Sequence, residues 1–192
     1  MPERNQAALD FLLNRRSRPA KTLRGPVPDR VELEVILTAA ARTPDHGKLE
    51  PWRFIVLEKA ALTRLAALIP ARAAALDIPA DKIEKAVAQY RDADLAVAVV
   101  EAPVATDKFP KIEQTYSAGA VCLSLLNAAL ASGWGANWLS GWASHDPEFC
   151  RFGLGLAGHE RIAGFIHIGT ETKTPPERPR PDLAQKITWV SE

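Results

Sequence analysis

Apolar side chains recur every three to four residues in several stretches of the chain, which is the spacing of a helix that buries one face. The pattern predicts helices over residues 6–16, 30–41, 60–69, 79–90, 111–132 and 147–152. Apolar positions surround most of segment 111–132, so we expect a central helix that is buried on several sides. Segments 60–69 and 79–90 are rich in alanine and charge, and we expect them to form a mobile or partly exposed cover.

Two other patterns predict strands. Residues 52–58 and 162–169 alternate in polarity, and the uninterrupted aliphatic run 95–100 is typical of a buried strand. Residues 187–190 also resemble a strand. The glycines at 153, 155 and 158 match the spacing of a dinucleotide-binding loop, which requires a strand before it and a helix after it. Here a predicted helix comes first, so we predict an ordinary helix-to-strand turn.

Residues 41–54 join a predicted helix to a predicted strand and concentrate ionisable side chains. Prolines at 44 and 51 restrict the backbone on both sides of them. A rigid loop with polar side chains is typical of a ligand site, although such turns are often polar for structural reasons alone. The ionisable residues are Asp45, His46, Lys48 and Glu50.

Arginines are concentrated near both ends of the chain. Three of them surround Ser17 directly after the first predicted helix, and guanidinium groups beside a hydroxyl are suited to bind phosphate. The alternative is a solvated helix end, where cations meet the negative end of the helix dipole. Near the other end, four prolines around Arg178 and Arg180 disfavour regular structure and predict an arm that crosses a surface.

Residues 134–142 contain three tryptophans with glycines between them. This combination offers flat apolar walls and a backbone that can approach a ligand closely. A core strand with packed tryptophans is the structural alternative. That alternative is stronger for Trp134 than for Trp138, Leu139 and Ser140, where we expect the chain to turn.

The overall composition narrows the possible partners. The 192 residues, 47% of them hydrophobic, suffice for one full core, and a net charge of +1 predicts no nucleic-acid partner and no anionic membrane patch. No stretch reaches the roughly 18 apolar residues that span a membrane, and residues 1–10 lack the apolar core of a signal peptide. We therefore expect a cytoplasmic protein in which Cys122 and Cys150 are buried free thiols.

Two other site chemistries have little support. A zinc site at His145 and Cys150 lacks further ligands at a useful spacing, and His167 in a strand pattern predicts a structural histidine, so we predict no metal site. A serine hydrolase would need a nucleophile elbow, which surrounds neither candidate serine. Its candidate residues would be Ser140, Ser144, His46, His145, Asp45 and Asp146.

Five motifs, in order, resemble the FMN-dependent nitroreductase family, in particular its short-chain branch with Asp-His in the first flavin loop. The resemblance covers nearly the whole chain and implies a single α+β domain over residues 1–192, with a mixed, mostly antiparallel sheet surrounded by helices. It also implies an intertwined homodimer in which residues 170–192 form an arm over the partner subunit. The motifs are Asn14-Arg15-Arg16-Ser17, Arg42-Thr43-Pro44-Asp45-His46 with Pro51-Trp52-Arg53-Phe54, Ser117-Ala118-Gly119-Ala120, the Gly-Ala-Asn-Trp-Leu-Ser-Gly of 135–141, and the Gly-Phe-Ile-His-Ile-Gly-Thr of 164–170 with its Pro/Arg tail.

The resemblance further implies two FMN sites at the subunit interface. Residues 15–17 would hold the phosphate and ribityl chain, and the two late arginines would add charge at the phosphate. Residues 41–48 of one subunit would lie near the flavin, and residues 138–140 would line it from the other side. The implied cofactor-binding residues are Arg15, Arg16, Ser17, Ala41, Asp45, His46, Lys48, Trp138, Leu139, Ser140, Arg178 and Arg180.

The implied activity is that of an NAD(P)H oxidoreductase. Hydride passes from NAD(P)H to FMN, the oxidised nucleotide leaves, and a nitroaromatic, quinone or similar acceptor is reduced in its place. No side chain serves as a nucleophile, so we assign no catalytic residue. The alternative is a specialised flavin protein that nicotinamide does not reduce.

Two positions depart from the wider family pattern, which often has asparagine at the position of Lys48 and glutamine at that of Glu50. We hypothesise that Lys48 stabilises the reduced, anionic flavin and so raises its potential. Glu50 then has no amide contact with the cofactor, and we expect it to pair with a nearby cation. We expect the cover at 60–90 to limit the size of the acceptor.

Overall fold

The structure, a computed structural model, describes residues 3–192; the first two residues of the predicted domain lie outside the described part. Within that part, short 3-10 turns occupy Ala20–Thr22, His46–Lys48, Trp142–His145 and Leu183–Gln185. The strands are β1 (Leu23–Arg24), β2 (Trp52–Glu58), β3 (Leu95–Glu101), β4 (Gly135–Leu139) and β5 (Arg161–Glu171). The helices are α1 (Gln6–Asn14), α2 (Arg30–Ala40), α3 (Lys59–Ala75), α4 (Ala80–Arg91), α5 (Lys111–Ala131) and α6 (Pro147–Leu154).

The strands form one sheet in the order β1-β5-β3-β2, and β4 also pairs with β5. All pairings among the described strands are antiparallel, with Trp52 opposite Glu101 and Ala136 opposite Ile168. Helices cover both faces, so the α+β prediction is confirmed. The predictions for β2 and β3 agree with the structure to within a residue, whereas β1, a two-residue strand, was not predicted.

Strand β3 separates two apolar cores, because alternate side chains along a strand point to opposite faces. Ala96 and Ala98 contribute to the core against α3 and α6, and Val97 and Val99 contribute to the core against α2 and α5. Every residue of β3 is buried, as its continuous aliphatic sequence predicts. Helix α5 contributes a broad buried surface to the second core, which agrees with the predicted central helix.

The prediction that residues 60–69 belong to a mobile or partly exposed cover misses their contribution to the core, although one side of the segment is exposed. Helix α3 is a core element, since Leu62, Leu65 and Ile69 are fully buried. It also continues past Pro70 to Ala75, because burial of Ala73 adds a further turn to its apolar face. Helix α4 is closer to the prediction, with Tyr90 as its one buried residue.

Local sequence signals set the ends of α2 and α6. Asp29 accepts a hydrogen bond from the Glu32 backbone N–H at 2.9 Å, and the Glu32 carboxylate accepts one from the Asp29 N–H at 3.1 Å. This capping box satisfies two amides that the helix itself leaves without partners. Asp146 caps α6 by accepting the Phe149 backbone N–H at 3.2 Å, and Gly155, with φ of 70°, ends the helix. The predicted helix-to-strand turn is therefore present in place of a dinucleotide loop.

The end of the chain has little regular structure after β5. Residues 187–190 form no strand, so that prediction is wrong for the chain taken alone, and Trp189 is 89% exposed. A strand needs a neighbouring backbone edge, and this segment pairs with none among residues 3–192. Cys122 and Cys150 are buried free thiols, as predicted. No helix within residues 3–192 is long and apolar enough to span a membrane.

Candidate functional site

The first arginines lie on an extended segment that follows α1. The Arg18 backbone N–H donates to the Ala136 carbonyl at 2.8 Å, and the Asn137 side chain donates to the Arg18 carbonyl at 2.6 Å. These two contacts attach residues 15–18 to strand β4. The sheet thus fixes the backbone of this segment, from which the arginine side chains extend.

Two of these arginines have buried nitrogens that lack partners. The Nε of Arg15, and the Nε and one Nη of Arg16, are buried without a hydrogen bond to any residue of the described chain. Both arginines line a cavity of about 310 Å³ together with Trp134, Gly135 and Glu171. Arg18 differs from them, since it pairs with Glu171 at 3.4 Å.

The late arginines approach the same place. Burial and the positive charge of Arg180 lower the pKa of Arg15, so the two guanidinium groups are close enough to repel. The Glu177 carboxylate accepts from the Arg178 backbone N–H at 3.0 Å and pairs with Arg180 at 3.1 Å. The Arg178 N–H, with the charges of Arg180 and Arg16, lowers the pKa of Glu177. The fold thus brings predicted residues from both ends of the chain together.

The loop after α2 is held in a tight conformation. Gly47, Lys48 and Glu50 have φ of 76°, 56° and 49°, in the left-handed region that most side chains avoid. The Asp45 carboxylate stabilises this conformation by accepting the Glu50 backbone N–H at 2.8 Å. Ser117 of α5 donates to the Pro44 carbonyl at 3.0 Å. The contact proposed between Glu50 and a nearby cation is not among the ion pairs of residues 3–192.

His46 is the most firmly held side chain of this loop. Its Nδ1 lies 2.6 Å from the Glu113 carboxylate, and its ring packs on Phe109 with centroids 3.9 Å apart. A carboxylate at this distance accepts a hydrogen bond, so Nδ1 carries a proton. Phe109 also occupies the space that a Cβ at Gly47 would need. His46 and Asp45 line a cavity of about 330 Å³ with α5, whereas Ala41 and Lys48 are exposed.

The third group of predicted residues ends strand β4. Trp138 packs across Gly164 of β5 so closely that a Cβ there would collide with the indole. Its side chain is 38% exposed, which is unusual for tryptophan in a sheet. Leu139 and Ser140 line a different cavity, of about 330 Å³, which also reaches His167. The predicted turn begins after Leu139, where β4 ends.

Three pairs of predicted residues line three separate cavities, so one chain does not gather them around a single ligand. The pairs are Arg15 with Arg16, Asp45 with His46, and Leu139 with Ser140. A further cavity, of about 690 Å³, lies between α2 and β2 and includes none of the predicted residues. Sequence reasoning did not single out Glu113, Phe109 or Glu171. Each of them contacts a residue that is distant in the sequence. No local sequence pattern therefore marked these residues as part of the site.

The hydrolase alternative does not fit the geometry. The Ser144 hydroxyl is buried and accepts from the Gly141 N–H at 3.2 Å, and His145 is exposed. Both oxygens of Asp146 are engaged by Arg72, at 2.6 and 3.0 Å. No three of the candidate serine, histidine and aspartate side chains within residues 3–192 are joined by hydrogen bonds. Within residues 3–192, no three His, Cys, Asp or Glu side chains lie close enough together to bind a metal ion.

The sequence is similar to known nitroreductases over most of its length. The profile of the family described as "Nitroreductase family" matches residues 12–170. The Escherichia coli K12 protein named "Putative NAD(P)H nitroreductase YdjA" is 36% identical over 163 residues, which are 85% of this chain and 87% of that protein.

Two solved structures show the same fold. A nitroreductase-like family protein from Bacillus cereus superposes with a TM-score of 0.77 at 21% identity, covering 99% of this chain and 98% of that one. A Desulfovibrio desulfuricans protein described as a "putative nitroreductase in complex with fmn" superposes with a TM-score of 0.74 at 20% identity, covering 98% and 99%.

Proposed function

Because the chain belongs to the nitroreductase family, we propose that it is an FMN-dependent NAD(P)H oxidoreductase that reduces nitroaromatics, quinones or similar acceptors in ping-pong order. The E. coli relative is named for NAD(P)H, and the D. desulfuricans protein is described as a complex with FMN. One observation of this molecule carries the proposal: the buried guanidinium nitrogens of Arg15 and Arg16 without protein partners.

Those nitrogens fit the phosphate of FMN. A buried donor without a partner costs stability, and an unpaired buried cation costs more. A dianionic phosphate offers three acceptor oxygens and would satisfy Arg15, Arg16 and Arg180 together. It would also remove the repulsion that lowers the pKa of Arg15. The donor set therefore matches the chemistry of the cofactor.

The remaining residues would position the cofactor and shield it from solvent. When bound, FMN supplies the hydride chemistry, which no side chain of this protein can provide. Ser117 and Asp45 hold the loop at 44–50 in one conformation, so Lys48 presents its positive charge from a fixed backbone. Glu113 fixes the orientation of the His46 imidazole. Trp138 offers a flat, partly exposed apolar surface to a ring system.

We propose that two chains assemble the site. Exposed apolar side chains lie on α2, where Val31 and Val35 are 72% and 63% exposed, and at Trp189 of the arm. The cavity of about 690 Å³ runs beside β2, which is the last strand of the sheet order. Residues 187–190 of a second copy would pair with that edge and place Trp189 in this apolar groove. The loop at 44–50 of one chain would then meet the arginines of the other.

The cofactor is tested by a visible absorption spectrum. The purified protein is incubated with FMN, desalted, and treated anaerobically with NADH and then NADPH. We expect flavin bands that survive desalting and bleach with a nicotinamide. Bands that survive but do not bleach would favour a specialised flavin protein, and a colourless protein would overturn the proposal.

The assembly is tested by light scattering after size exclusion. We expect a dimer for the full chain and a monomer, or a much weaker dimer, for Trp189→Ser. The matched control is Phe152→Ser, which removes another exposed aromatic side chain outside the proposed contact. A monomeric full chain that still retains flavin would exclude a site built from two subunits.

A further inference from the structure

A second cavity contains an unexplained histidine. His167 lies in β5 between Asn137 of β4 and Ala96 of β3, and it is 1% exposed. Both of its ring nitrogens are buried without a hydrogen bond to any residue in 3–192. An imidazole that only filled the core would leave two polar atoms unsatisfied, which is costly.

Two cavities reach this imidazole. One has a volume of about 10 Å³ and holds at most a single water molecule. The other has a volume of about 330 Å³, which falls at the lower end of the range for small-molecule sites. Of these two, the larger has room for a ligand, and we call it the His167 cavity.

The inner end of the His167 cavity is polar. Gln89 of α4 lines it, and its Nε2 is also buried without a partner. Burial lowers the pKa of His167 to about 4, so at neutral pH the imidazole is uncharged and presents one donor and one acceptor. Together the two side chains suit a hydroxyl or a carbonyl group, and they disfavour a cation.

The rim and the walls of the His167 cavity indicate the charge and the shape of the rest of the ligand. Lys21 and Lys85 are exposed at the rim, and neither forms an ion pair within the described chain. The acid beside them, Asp92, is engaged by Arg91 at 2.8 Å. The walls are mostly short apolar side chains from the turn at 20–22, from α4 and from the end of β4, which suit the faces of an aromatic ring.

We propose that the His167 cavity binds a small aromatic acid. Its hydroxyl or carbonyl group meets His167 and Gln89, and its carboxylate meets the two lysines at the rim. Leu139 and Ser140 line this cavity, and the resemblance implies that they also line the flavin, so the two proposed sites adjoin. The acid site does not require bound flavin, and it can be tested whether or not the proposed activity is correct.

The test is calorimetric titration with 4-hydroxybenzoate, on the desalted protein with and without added FMN. We expect saturable binding with a Kd on the order of 0.1 mM, since about ten heavy atoms in a polar-ended pocket reach that range. Benzoate and phenol, which each lack one polar end, should bind about tenfold more weakly. The imidazole nitrogen resonances of His167 should shift on saturation.

Two variants distinguish a ligand contact from a packing role. His167→Phe and Gln89→Leu should each weaken binding about tenfold, while the control Gln6→Leu, on exposed α1, should not. Gln89→Leu remains informative if His167→Phe does not fold. Unchanged affinity in Gln89→Leu, absence of saturable binding, or release of flavin by the probe would overturn a separate acid site. Flavin retention, measured on the same samples, reports on the proposed function independently.

Discussion

Arginines occur in two contrasting settings in this molecule. Around the sheet and α6, Arg53, Arg72 and Arg161 each place two nitrogens on one carboxylate, of Glu160, Asp146 and Glu101. These hydrogen bonds raise the arginine pKa values. At the N-terminal cluster, Arg15 and Arg16 have buried nitrogens without partners, and burial lowers the pKa of Arg15.

The contrast separates structural arginines from binding arginines. Where an arginine supports the fold, the chain supplies a carboxylate at bidentate geometry. Where several arginines converge with too few carboxylates, the fold tolerates a cost that an anionic ligand would remove. Substitutions should therefore affect stability in the first setting and ligand affinity in the second.

The largest effect is expected on FMN affinity when both arginines without carboxylate partners are replaced. Arg15→Met with Arg16→Met should weaken FMN binding about 100-fold, because charge-assisted hydrogen bonds to phosphate are lost. The unfolding midpoint should stay level or rise, since repulsion with Arg180 is relieved. Flavin fluorescence titration measures the first quantity and thermal unfolding the second. Arg151→Met, on an exposed arginine that lies over Phe152, is the control.

The reverse outcome is expected from a structural arginine. Arg72→Met should lower the free energy of unfolding by about 2 kcal/mol, because Asp146 stays buried and loses both guanidinium contacts. The affinity for FMN should not change. Urea unfolding measures the loss, with Arg91→Met as the control, because ion pairs of an exposed arginine contribute little to stability. A drop in FMN affinity without loss of stability would break the distinction.

Low pH should destabilise the protein through the arginines that are paired with carboxylates. The hydrogen bond from Arg53 lowers the pKa of Glu160 from 4.5 to about 2. The folded state therefore binds this proton later than the unfolded state, so the stabilisation is complete above pH 4.5 and is lost as pH falls towards 2. In Glu160→Gln, the decrease in the free energy of unfolding between pH 5 and pH 3 should be smaller by about 1 kcal/mol, as measured by urea unfolding. An equally steep loss in the variant would assign it to other carboxylates.

The sequence predicted features that depend on neighbours along the chain. Asp29 with Glu32, and Asp146 with Pro147, determine helix starts through local hydrogen bonds and backbone restriction, so both starts were predicted correctly. The density of arginines at 15–18 likewise marked a candidate anion site before any geometry was known.

Features that join distant segments were not predictable from the sequence. The pairing of His46 with Glu113 and of Arg53 with Glu160 depends on how α5 and β5 pack, and no local pattern encodes it. The burial of α3 had a visible signal in the spacing of Leu62, Leu65 and Ile69, but the alanine-rich composition outweighed it in our interpretation. The edge strand β1 is too short to leave any periodic pattern.

The smallest effect concerns Lys48, an exposed cation on the loop at 44–50. Lys48→Met should lower the midpoint potential of bound FMN by about 20 mV, because an ammonium group in partly aqueous surroundings contributes about 1 kcal/mol to a nearby negative charge. Spectroelectrochemical titration measures the shift, with Lys108→Met, another exposed lysine, as the control. An unchanged potential would mean that Lys48 does not lie beside the ring. Lys48 would then be a solvated surface charge, and the distinction between paired and unpaired cations would hold only where the unpaired group is also buried.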